Sequence, residues 1–111
     1  MEKEIKTWLE DIRMSIEEID SFLPEKRNFL EFQKDLKTRK AVERNIEIIG
    51  EAVNRILKVD PSIEITNARK IVDTRNRISH GYDTISIDII WAIAVNDLGN
   101  LYLEVNELLK K

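Results

Sequence analysis

Between positions 5 and 23 an apolar residue recurs every three or four places, at Ile5, Trp8, Leu9, Ile12, Ile16, Ile19 and Leu23. At about 100° per residue this spacing gathers the set on one stripe, so the segment buries it together only as a helix. Pro24 holds the residue before it in extended backbone, and the helix predicted over 2–22 ends there. The period returns in EFQKDLKTRKAVERNIEIIGEAVNRILKV, 31–59, where Leu36, Val42, Ile46, Ile49, Val53, Ile56 and Leu57 share a face and Pro61 stops the run.

A shorter third helix is predicted over 66–79, with Thr66 as its N-cap, Ala68, Ile71, Val72 and Ile78 as its inner face, and Gly81 as the left-handed residue that closes it. The last begins near Ser86 and buries Ile90, Ile93, Ala94, Leu98, Leu101, Val105 and Leu108. No strand alternation, internal repeat or low-complexity tract interrupts this pattern. With 111 residues the chain has room for one core. The expected fold is therefore all-α, a four-helix, mostly antiparallel bundle forming a single domain over 1–111.

Two details ask for tertiary partners. Gly50 interrupts a strong helix former at a cost of about 1 kcal/mol relative to Ala, so it is expected to mark close approach of another backbone. The start of the last helix, ISIDIIWAIAV, is apolar almost all round. Its second apolar face is expected against another helix of this chain or another copy of it.

Composition narrows the chemistry. The formal net charge is -3, so any anion site must be a local basic patch. With no Cys and one His, the chain offers no disulfide and no ordinary zinc site, and neither metal nor cofactor is expected. The charged amphipathic start, MEKEIKTWLEDIR, is neither a signal peptide nor a membrane span, so a cytoplasmic protein with no membrane partner is expected.

The chemistry-bearing residues crowd into DTRNRISHGYDT. Arg75, Arg77 and His80 suit the last turn of a helix, where cations meet the negative end of the dipole, and this alone accounts for them. Their phase allows more. Asn76 and His80 lie one turn apart on one face, with Arg75 and Ser79 on the neighbouring flank. An amide can fix an imidazole tautomer, and a guanidinium can clamp a phosphate. Imidazole titrates near neutrality and Arg stabilises charge growing on a phosphoryl oxygen, a pairing that suits RNA cleavage by the ribose 2′-hydroxyl. Such a step wants both a base and an acid, and a chain with one His supplies both only as a homodimer.

The segment RNRISH, with HGY extending it, resembles the motif of the HEPN superfamily in the form typical of HepT-like toxins; RKAVERNIEIIGEAVNRI and IIWAIAVNDLGNLYLEV resemble the family's second and closing helical segments. The resemblance implies a metal-independent endoribonuclease toxin working as a homodimer, with Arg75 and His80 catalytic and Asn76 in the supporting polar position. It also implies a minimal nucleotidyltransferase antitoxin (MntA-like) that transfers AMP to the motif tyrosine, here Tyr82. The alternative is a non-catalytic helical dimer that serves as binding partner of a nucleotidyltransferase.

Lys34, Lys37, Arg39, Lys40 and Arg44 form a basic stretch that either guides RNA or is a solvated helix face paired with Asp35 and Glu43. Glu51 is either a partner for an arginine near the motif or an exposed carboxylate. Trp8 and Trp91 fall on apolar faces and are expected in packing rather than base stacking.

Overall fold

The computed structural model describes residues 2–80 and 86–111. The stripe that predicts the first helix forms α1 (Lys3–Phe22), which buries Ile5, Leu9, Ile12, Ile16 and Ile19. Antiparallel to it runs α3 (Leu36–Val59), burying Val42, Ile46, Ile49, Val53 and Ile56. Glu2 and Ile5 accordingly share a surface depression with Asp60 and Ile63, just beyond the end of α3.

α4 (Ala68–His80) lies antiparallel along α3 and contributes Ile71 and Thr74 to the interior. The chain then continues through α5 (Ile87–Ala92), a π turn (Ile93–Asp97) and α6 (Leu98–Leu109) as one interrupted helix against α1. The expected four-helix bundle is present, built from α1, α3, α4 and this last composite helix. None of the described helices is long and apolar enough to cross a membrane.

Three local expectations change. The helix expected over 31–59 is two helices, α2 (Phe29–Lys34) and α3, broken at Asp35. Asp35 accepts a hydrogen bond from the Thr38 backbone N–H at 3.1 Å and another from the Thr38 hydroxyl at 2.6 Å. Those bonds satisfy a donor that a continuous helix would have paired internally, and the carboxylate caps a new helix instead. Leu36, expected on the buried face, is 56% exposed as a result.

Thr66 does not cap α4. Its hydroxyl and backbone N–H both donate to Glu104 of α6, at 2.6 Å and 3.1 Å, while Asn67 turns the chain into the helix at φ 61°, a conformation Asn tolerates. The π turn also departs from a regular helix. Ile93 and Leu98 are both buried, a five-residue step that α geometry would rotate off the face and that the wider turn brings back. Ser86 caps α5 as expected, accepting from Asp88 N–H at 3.2 Å.

The surplus apolar face of the last helix finds its partner inside the chain. Trp91 packs against Phe29 with ring centroids 5.9 Å apart and against Phe32 at 5.0 Å, so the short α2 covers it. Trp8 likewise packs against the core.

Gly50 meets its expected close approach. A Cβ placed there would lie 2.3 Å from Arg75 Cβ and 3.0 Å from the Ile71 carbonyl oxygen, so α3 and α4 touch at a distance only glycine permits. The Gly50→Ala variant gains about 1 kcal/mol of helix propensity but must push two helices apart. A net loss of about 1–3 kcal/mol is expected in urea unfolding. A more stable variant would show that the two helices are not held at this separation.

Candidate active site

α4 is amphipathic, and its inner face meets α3 at Ile71, Thr74 and Arg75. Thr74 donates its hydroxyl to the Lys70 carbonyl at 2.8 Å, which lets a polar residue sit buried in the helix. Arg75 follows it. Its stem lies against Gly50, and its buried Nε has no hydrogen-bond acceptor among the described residues. From there the guanidinium reaches the next residue, Nη1 donating to Asn76 Oδ1 at 2.7 Å.

Asn76, expected beneath His80 on one face, thus has its amide oxygen engaged by Arg75. His80 is exposed and ends α4. The predicted cap Gly81 and the expected AMP acceptor Tyr82 lie outside the described residues.

Facing this last turn is a carboxylate that the sequence does not single out. Glu47 on α3 accepts from the Ser79 hydroxyl at 2.7 Å through Oε2 and from Arg44 Nη1 at 2.9 Å through Oε1. The Ser79 bond holds the Glu47 carboxyl below its usual 4.5; the bond and charge of Arg44 and the field of Arg75 add to this, and partial burial opposes it. Glu51, read as either a partner for a motif arginine or an exposed carboxylate, pairs with Arg55 at 2.8 Å on its own helix. Phase explains the exchange: Glu47 is one turn before Gly50 on the flank that α4 covers.

The basic stretch divides. Arg39 donates to the Gln33 carbonyl at 3.0 Å, bracing the break between α2 and α3, and Arg44 is held by Glu47. Lys34, Lys37 and Lys40 are exposed. Asp35 is engaged as a helix cap.

A model of the family described as Ribonuclease HepT-like matches residues 12–108, nearly the whole chain. The chain belongs to the HepT-like ribonuclease family. Among relatives of this family, a Methanocaldococcus jannaschii protein named "Putative RNase MJ0127" is 33% identical over 97% of this chain and 89% of its own length. "Probable ribonuclease HepT" of Thermococcus cleftensis is 32% identical over 99% of this chain and all of its own. A second M. jannaschii protein, "Putative RNase MJ1380", is 30% identical over 93% of this chain and 94% of its own. No solved structure matches significantly.

Within this HepT-like chain the geometry brings Arg75, Asn76, Ser79 and Glu47 together on the α3–α4 seam and leaves His80 at the exposed end of it. A carboxyl whose folded-state pKa is depressed contributes stability above its unfolded value and loses it as pH falls through the folded one. Wild type should therefore be more stable than Glu47→Gln at pH 7, with the gap closing well below pH 4.5. Urea unfolding of both proteins at pH 7 and pH 3 checks this, and an equal gap at both would mean the carboxylate charge is not engaged.

Proposed function

We propose that this protein is a metal-independent endoribonuclease, the toxin of a cytoplasmic type II toxin–antitoxin pair, cutting RNA at a composite site formed by two copies of the chain. Membership of a ribonuclease family supports RNA as the substrate class. The observation that most directly supports the site is Arg75, with its stem fixed at Gly50 and Asn76 on its Nη1. With its stem fixed there, the guanidinium can offer its outer nitrogens to a phosphate oxygen in charge-assisted bonds.

In the proposed reaction the ribose 2′-oxygen attacks the adjacent phosphorus and the bond to the 5′-oxygen breaks. A 2′,3′-cyclic phosphate and a 5′-hydroxyl result. His80 of one copy accepts the 2′ proton and His80 of the other protonates the leaving oxygen, which is how a chain with one histidine provides both base and acid. Arg75 stabilises the charge growing on the phosphoryl oxygens, and Asn76 orients it. The reading requires a homodimer.

Silencing is assigned to Tyr82. Its phenol oxygen attacks the α-phosphorus of ATP bound by a nucleotidyltransferase antitoxin, pyrophosphate leaves, and the attached AMP puts bulk and negative charge two residues from His80.

Purified wild type should cleave total RNA in excess EDTA and leave cyclic phosphate ends, whereas His80→Ala and Arg75→Ala should each cut at least about 100-fold more slowly. A folded, dimeric wild type that leaves RNA intact would point instead to a binding partner of the nucleotidyltransferase. Mass spectrometry after co-expression with that enzyme should find one AMP on Tyr82; an unmodified tyrosine removes the regulatory step.

A further inference from the structure

We propose that Glu47 is a positioning residue for Arg75 and His80, acting on them through Ser79. The proposal rests on the ribonuclease reading above. Ser79 is four residues beyond Arg75 and immediately before His80, in the last turn of α4. The last carbonyls of a helix have no partner within the helix itself, and such an end frays unless something outside holds it. The bond from Ser79 to Glu47 joins positions 32 apart in the sequence, so it is a tertiary tether and not part of the helix.

Two contacts between α3 and α4 bracket the site. The Gly50–Arg75 approach sets the separation of the helices, and the Glu47–Ser79 bond, one turn away on each, sets their rotation and register. Core packing of Ile71 and Thr74 holds the middle of α4, and the Glu47–Ser79 bond extends that hold to its last turn. Together they define where the Arg75 stem leaves the helix and where the His80 backbone ends.

The charge is arranged to serve the same purpose. Glu47 feels the field of Arg75, yet among the described residues the two form no ion pair, and its oxygens accept from Ser79 and Arg44. A direct pair would neutralise the guanidinium that the substrate phosphate needs. Arg44 therefore holds the carboxylate off Arg75, and Asn76 receives Nη1 in its place.

The test is steady-state RNA cleavage by wild type, Ser79→Ala, Glu47→Ala and the double variant, with thermal melting of each. Small misplacements of reacting groups lower turnover by up to about 100-fold. We expect kcat to fall roughly 10-fold in Ser79→Ala and about 10–100-fold in Glu47→Ala, with KM changed less than about twofold. The double variant should be no worse than Glu47→Ala, since both act through one link. Unchanged kcat in Ser79→Ala, or losses that multiply in the double variant, would overturn the proposal. Ser79 is exposed, so its variant keeps the test open should Glu47→Ala fail to fold.

A second readout does not depend on cleavage. The ¹⁵N resonance of the buried Arg75 Nε–H should shift in Ser79→Ala. An unmoved resonance sinks the tether whatever the wild type does to RNA. A moved resonance in a wild type that cuts no RNA upholds the tether and overturns the ribonuclease reading.

Discussion

The separation of α3 and α4 at Gly50 is the constraint from which the site follows. Two helices usually pack with their axes 8–10 Å apart, as far as the side chains between them require. Here one helix presents no side chain, and the other presents the stem of an arginine. A guanidinium at a normal separation would sit in water with all its donors solvated. Drawn in against glycine, Arg75 loses water at Nε while its outer nitrogens remain within reach of Asn76. The stability that a glycine forfeits inside a helix is converted into an arginine with few rotamers.

The helices were legible because their stripes are long and each buries a single face. What the period could not reveal were the two places where backbone chemistry overrides it. At Asp35 the apolar pattern continues in phase through Leu36, so the sequence reads as one helix; the carboxylate competes for the Thr38 N–H and starts a new one. The break frees α2 to turn Phe29 and Phe32 onto Trp91. This is why a stretch apolar all round does not stay uncovered in the single chain. At Ile93–Asp97 the sequence does put Ile93 and Leu98 inward, but the π turn that brings both onto one face is not in the period.

For the site, helical phase paired Arg75 with Ser79 on one flank and Asn76 with His80 on the next, whereas the Asn76 amide oxygen accepts from Arg75. Glu47 escaped because acids on the polar flank of an amphipathic helix are normally solvated, and many others in this chain are. Nothing local separates it from Glu43 or Glu51. The distinguishing fact is a hydroxyl 32 positions away, which no helical period encodes. Glu51 looked the better candidate for being adjacent to Gly50, yet adjacency in a helix means a turn of about 100° away, and it pairs with Arg55.

A net charge of -3 and a polyanionic substrate are compatible because charge is sorted along the molecule, whose longest dimension is 42 Å. Glu2, Asp60, Glu64, Glu104 and Glu107 gather at one end, where a hydrogen bond with Glu4 and then the negative charges of Glu4 and Asp60 push the Glu2 carboxyl above its ordinary value. Lys37, Lys40 and Arg44 lie toward the opposite end of α3, beyond the last turn of α4. From Asp60 to Gly50, where Arg75 packs, is ten residues, about 15 Å of helix. At physiological salt the screening length is about 8 Å, so the acidic end is nearly two such lengths from Arg75. A phosphate arriving at Arg75 responds to the cations within that length, and the overall sign of the protein has little weight there.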